Sequence, residues 1–348
     1  MWLSVWTRAV IAPAARRAYG VWAGAGLVGA MIFGGTGMHP SDLTGLAVGD
    51  PGVGVVLALT WLLVFVPVAR GLVRADGARY LAALPAPAVW PRLLAGAALV
   101  GLQLPWLALW VGGDGARGLA VVGGVTVPIA LVAAWRPRPG RRIGARWASG
   151  PAALRGVFAR ALRRRAADAL LRGAGIAILA GFFAGLLVRN NELAGRSAAA
   201  LAAAAIAIVL VGAQIGVRLV LLDAHRSSAW LAASTGISDS ARVAALAFAI
   251  AAVDLAAAAL AVLVVVIAGQ FDLATTAWLA LAVLASVAGG VLAGTRTLVR
   301  AADSPNVATR VVVGAAVTAG LTVLWLGVFG FVGIAGALAT SAVLAVRE

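Results

Sequence analysis

Few residues in this 348-residue sequence have the type and setting to do chemistry. The clearest is Asp254, centred in the apolar run Ala249-Ile-Ala-Ala-Val-Asp-Leu-Ala-Ala257, with Gln103 and Gln214 deep in two other apolar runs. An ionised carboxylate at membrane depth costs roughly 2.5–3.5 kcal/mol on insertion scales, so Asp254 must face protein or a water-filled cavity. Two kinds of chemistry fit. The three residues can line a substrate path or Asp254 can take part in proton coupling; otherwise Asp254 is protonated and hydrogen-bonded between helices, holding a bundle together. No cation stands out in a neighbouring apolar run as its partner.

Other reactive constellations are sparse. His39, Asp42 and Asp50 fall within one loop, but Pro40-Ser-Asp42 reads as a helix N-cap and Asp50-Pro51-Gly52 as a turn. Cysteine is absent and the two histidines, His39 and His225, are far apart, so neither a thiolate site nor a histidine metal cluster is expected. No paired carboxylates stand at a reactive spacing. Lysine is also missing, which removes any Gly-x-x-x-x-Gly-Lys-Ser/Thr phosphate loop. The chain is therefore read as no enzyme, without a cofactor or metal of its own, and any ATP it uses must be hydrolysed with Mg on a partner.

The elements that must position these residues are membrane helices. With 63% hydrophobic and 11% charged residues and a mean hydropathy of +1.02, the chain cannot cover a water-soluble surface. A crossing needs roughly 20 mostly apolar residues, and this window gives about ten spans. They are expected near 18–36, 53–73, 93–112, 118–135, 173–189, 197–217, 244–268, 276–295, 311–328 and 330–346, the last two as a hairpin around Gly327–Gly333. All 28 basic residues are arginine, against 12 acids, for a net charge of +16. With both termini in the cytoplasm, only Arg117, Arg189 and Arg196 fall outside, which is the positive-inside rule. The charge is then a topology signal, and no nucleic-acid partner is expected. Trp2, Leu3, Trp6 and Val10 recur at helical spacing and read as a short helix lying in the membrane interface.

The spans carry a weak internal repeat. Ala25-Gly-Leu with Phe33 resembles Ala174-Gly-Ile with Phe182, Leu72-Val with Asp76 and Arg79 resembles Leu219-Val with Asp223 and Arg226, and Tyr80-Leu-Ala-Ala with Arg92 resembles Trp230-Leu-Ala-Ala with Arg242. The matches keep their order at a nearly constant offset. The expected fold is an all-α polytopic bundle, a parallel duplication of a four-span unit plus a terminal two-span hairpin. Its divisions are a first repeat with the interfacial helix (1–135), a basic linker and amphipathic helix (136–172), a second repeat (173–296) and the hairpin (297–348). In the linker region, Leu154, Phe158 and Leu162 share one helical side among five arginines, a pattern suited to anionic lipids at about 1 kcal/mol per arginine.

Between the second and third spans of each repeat stands a short cytoplasmic segment. The first runs Arg74-Ala-Asp76-Gly-Ala-Arg79-Tyr-Leu81-Ala-Ala-Leu84-Pro85, followed by Arg92. The second holds Asp223, Arg226, Trp230 and Leu231, with Gly236 as its stop. Asp76, Arg79, Leu81, Leu84, Pro85 and Arg92 resemble the coupling helix of ABC exporter permeases, and the N-terminal helix also fits that family. The resemblance covers about the first 135 residues and is repeated more faintly from about 150 to 295, where the Leu-Pro is absent. It implies docking into a separate ATPase subunit through these residues and a second copy of the permease or a related one as partner; the all-arginine, alanine-rich composition suggests a GC-rich bacterial genome and hence a bacterial plasma membrane location. The leading expectation is a permease subunit of an ATP-driven exporter. The alternatives are a proton-coupled secondary transporter using Asp254 and a noncatalytic membrane scaffold.

Overall fold

The computed structural model describes residues 2–35, 39–75, 89–135 and 151–300, together with positions 332, 336 and 339. Helix accounts for 92% of the described residues, and no strand occurs among them. The chain forms two compact units, Met1–Gly140 and Arg141–Glu348.

In the first unit, α1 (Trp2–Trp6) passes through a π-type turn (Thr7–Ile11) directly into α2 (Ala12–Gly35). The expected separate interfacial helix is thus the start of a longer one. Its wide turn lies just before Pro13, whose ring would otherwise press on the carbonyl four residues back. Trp6, Val10, Ala14 and Ala18 form a buried stripe at four-residue spacing, while Leu3 remains exposed. Next come α3 (Pro40–Gly49), α4 (Pro51–Arg74), α5 (Val89–Gly101), α6 (Leu104–Asp114) and α7 (Ala116–Ala134). Helix α4 packs against α2, α3 and α7, and α6 packs against α3 and α7. Gly118 permits the tight return from α6 to α7, since a Cβ there would lie 2.1 Å from the Trp110 carbonyl oxygen.

The expected straight span over 93–112 is broken. Its two halves, Trp90–Gly101 and Leu104–Asp114, meet at 65°. Pro105 is the cause, because it cannot donate to the Gly101 carbonyl and sits instead in the first turn of a new helix.

The second unit comprises α8 (Pro151–Arg165), α9 (Ala167–Asn190), α10 (Gly195–Ser227), α11 (Ala229–Ser234), α12 (Asp239–Gly269) and α13 (Leu273–Arg300). Two apolar cores hold it. Near the α9–α10 turn the core is mostly alanine, with Ala184, Ala198, Ala202, Ala258 and Ala261 buried. Small side chains let α9 and α12 approach so closely that a Cβ on Gly181 would lie 2.4 Å from the Ala261 oxygen. At the other end Leu154 and Phe158 of α8 pack with Leu221, Leu222, Leu246 and Ile250.

Four of the described helices are long and apolar enough to cross a membrane: Pro51–Arg74, Ala116–Ala134, Ala167–Arg189 and Asp239–Gly269. The bent pair α5–α6 makes a fifth if it is one broken span. Shorter apolar stretches, Gly195–Ala207 and Leu273–Ala288, lie within α10 and α13. The chain therefore has the make-up of an all-helical membrane protein. Residues 136–150 of the expected linker and the expected spans at 311–328 and 330–346 lie outside the described residues, apart from positions 332, 336 and 339.

Candidate functional site

The helices bury few polar side chains, and in each unit one of them joins two long elements. In the second unit Arg218 of α10 reaches Asp254 of α12, with Nη2 donating to Oδ2 at 2.6 Å and both side chains only 9% exposed. Asp254 was expected to lack a cationic partner; it has one. Arg218 sits one turn beyond Gln214 on the same face of α10, directly after the window that marks the sixth expected span, so the sequence reads as though it belonged to a basic flank. The pair sets a cation against the carboxyl in its buried setting. Removing one partner of such a pair costs about 3–5 kcal/mol, because the other charge is left buried and alone. Gln214 is buried beside Gly173, and its Oε1 has no hydrogen-bond partner among the described residues.

In the first unit Gln103 stands at the α5–α6 break and is fully buried. Its Oε1 accepts from Trp61 Nε1 at 2.9 Å, and its Nε2 donates to Thr126 Oγ1 at 2.8 Å and to the Leu99 oxygen at 3.2 Å. The last bond repairs the break. The Gln103 backbone N–H is diverted to Val100, and the side-chain amide serves the carbonyl that it would have satisfied in a continuous helix. Trp22 Nε1 donates to the Leu102 oxygen at 2.9 Å, meeting a second carbonyl at the break. Around this hub, Trp61 stacks on Phe65 and Trp106, with ring centroids 5.5 and 5.4 Å apart. Gln103 thus ties α4 and α7 to the broken helix, and every polar atom of its side chain is engaged.

Of the other expected residues, Asp223 and Arg226 lie in the last turns of α10, which continues ten residues beyond the expected span end at 217, and Trp230 and Leu231 lie on α11. Helix α11 occupies Ala229–Ser234, as the sequence indicated for this segment. It ends at Gly236, with φ +68°, in a Schellman arrangement: Gly236 N–H bonds Ala233 O at 3.3 Å and Ile237 N–H bonds Ala232 O at 2.9 Å. Ala232 is buried, Leu231 is half-buried, and Trp230 projects with 71% of its surface exposed. Asp223 is held at the surface by Arg165 of α8 at 2.7 Å. Arg226 is exposed. Arg242 donates Nη1 to Asp239 at 2.7 Å and Nη2 to the His225 carbonyl at 3.1 Å, fastening α12 to the end of α10. Burial, reinforced by the positive charge of Arg242 and opposed by Asp239, holds the His225 imidazole below its ordinary pKa.

The first short segment is not comparable: Asp76, Arg79, Leu81, Leu84 and Pro85 lie outside the described residues, and of the residues that resemble a coupling helix Arg92, exposed on α5, is the one described. Gln103 and Gln214 are in different units, so the expected substrate-path residues divide into the Gln103 hub and the α10–α12 group of Gln214 and Asp254. The loop with two acids and a histidine resolves into caps. His39, rather than Asp42, occupies the N-cap of α3; Asp42 reaches back to the His39 N–H at 2.6 Å, and Asp50 caps α4 through Gly52 N–H at 2.8 Å. Hydrogen bonds from Thr275, through its side chain and its backbone N–H, hold the Asp272 carboxyl below the usual carboxylate range at the start of α13. No group of three metal-ligating side chains occurs among the described residues. Sequence reasoning missed Arg218, Trp61 and Thr126, and noted Arg242 only as the repeat counterpart of Arg92; the four-residue spacing of Gln214 and Arg218 was the available signal for the first. No family model, curated protein or solved structure matches the chain.

Proposed function

We propose that this chain is the membrane-spanning permease subunit of an ATP-driven exporter in a bacterial plasma membrane, driven by a separate ATPase. The observation that carries the reading is α11, a short helix held firmly between two long ones and presenting Trp230 outward. An exposed tryptophan on a fixed support is an economical anchor for a pocket on a partner. The resemblance of Asp76, Arg79, Leu81, Leu84 and Pro85 to a coupling helix gives the first repeat the same task.

A parallel duplication within a ten-span chain accompanies this proposal. In support, three pairings recur in the two helix sets α2, α4, α5–α6, α7 and α9, α10, α12, α13, namely second on first, fourth on second and third on fourth, whereas the extensive packing of α12 on α9 has only a slight counterpart between α6 and α2. Both termini are then cytoplasmic, and α8 with its arginines lies beside anionic headgroups. A second permease copy, or a related chain, completes the transporter.

The test is whether an ATPase copurifies with the tagged chain from native membrane extracts. The ATPase should be retained by the native chain and lost with Trp230→Asp or Leu84→Asp, while the membrane subunit keeps its elution volume and melting temperature. Absence of any ATPase from native extracts, combined with proton-driven flux that fails in Asp254→Asn, would replace the proposal with secondary transport.

A further inference from the structure

In each unit a buried polar bond joins the two helices that flank the segment proposed to meet the ATPase. Arg218 and Asp254 join α10 to α12 across α11, and Trp61 joins α4 to the α5–α6 break at Gln103. Such a bond has a mechanical consequence. Two helices connected through a short turn can slide or tilt separately, whereas helices cross-linked in their buried interior must answer together. The α10–α12 link is the stiffer, because parting the 2.6 Å ion pair would strand two charges among apolar side chains. Two further contacts act in the same sense. Arg242 ties the same helices beside α11 through the His225 carbonyl at 3.1 Å, and Leu221, Leu222, Leu246 and Ile250 fill the intervening interior.

We propose that Arg218 and Asp254 are positioning residues that make α10, α11 and α12 move as one body, so that a displacement imposed on α11 reaches both long helices together. The inference rests on α11 being the docking element. The rigidity is measured on the membrane subunit alone, so its failure and a failure to bind an ATPase are separately visible.

The absence of native cysteine permits paired spin labels without background. Leu219→Cys with Leu255→Cys, 40% and 38% exposed, reports on α10 against α12; Leu263→Cys with Leu284→Cys, 58% and 51% exposed, reports on α12 against α13 as a control. In lipid nanodiscs, Asp254→Asn and Arg218→Gln should shift or broaden the 219–255 distance distribution by about 1–2 Å, the scale on which packed helices move against each other. The 263–284 distribution should stay as it is. The exchanged pair Arg218→Asp with Asp254→Arg should restore the native distribution. Should the single variants fail to fold, Arg218→Met with Asp254→Leu removes both charges at once, a change that buried pairs often tolerate, and must give the same broadening. An unaltered 219–255 distribution in any folded variant lacking the pair, or equal loosening at both label pairs, overturns the proposal.

Discussion

Gln103→Leu isolates the value of a single buried amide. The substitution keeps a side chain of similar size at a fully buried position but removes the acceptor for Trp61 Nε1 and the donor to Leu99 O. Thr126 is spared, since its hydroxyl also donates to the Val122 oxygen at 2.7 Å. In a water-soluble protein each stranded group would cost about 1–3 kcal/mol. Between membrane helices measured couplings average about 0.6 and reach about 1.7 kcal/mol, because the separated helices find other partners. Two stranded groups at a helix break, offset by the better transfer of leucine, give an expected loss of about 2 kcal/mol. Combining Gln103→Leu with Trp61→Phe in a double-mutant cycle should return a coupling of about 1 kcal/mol, read by reversible unfolding in mixed micelles. A coupling under about 0.3 kcal/mol, or a neutral Gln103→Leu, would mean that the bond does not hold α4 to the broken helix.

Three other perturbations test separate parts of the structure by the same unfolding measurement. Gly181→Ala should destabilise by about 1–3 kcal/mol, since its Cβ would meet backbone of α12, whereas Gly156→Ala, with nothing within 4 Å on α8, should be neutral or stabilise by up to about 1 kcal/mol. Equal effects would contradict the close α9–α12 contact. Gly236→Ala places a side chain at φ +68° and should cost about 1 kcal/mol, visible also as faster hydrogen exchange at Ile237. His225 has a folded pKa below its unfolded value of 6.5, so the unfolded chain binds the proton more readily. Its contribution is present above that value and is lost as pH falls through the folded pKa; His225→Phe should flatten the stability profile over that interval, and an unchanged slope would assign the acid sensitivity elsewhere.

How far the sequence reveals this molecule depends on whether a feature is local. The apolar runs at 53–73, 118–135, 173–189 and 244–268 reappear as α4, α7, α9 and α12 because length and hydropathy are properties of each segment alone. The stop at Gly236 is similarly local, since an αL position after a short helix favours glycine. The α5–α6 bend was written in Pro105, yet a proline in an apolar run leaves open whether the helix kinks or ends. The continuous α1–α2 helix depended on a π-type turn that periodicity does not register. Pairing of buried polar residues is a different matter, because it depends on which faces meet.

Arg218 shows why that information is hard to recover from one chain. A positive-inside count treats every arginine near a span end as a topology mark, and that treatment hides an arginine that turns inward. The cost of burying Asp254 could be relieved by a proton, by water or by a cation, and only the packing of α10 on α12 selects the third. Gln103 makes the complementary point: an amide in a hydrophobic run resembles a transport-path residue until its partners are known, and here they are an indole, a hydroxyl and a carbonyl left open by the diverted Gln103 N–H. Both residues do structural work inside the bundle, where they tie together helices that flank a short connecting segment. If force enters through those segments, the residues that most resemble a substrate path in the sequence are the ones that carry movement into the bundle.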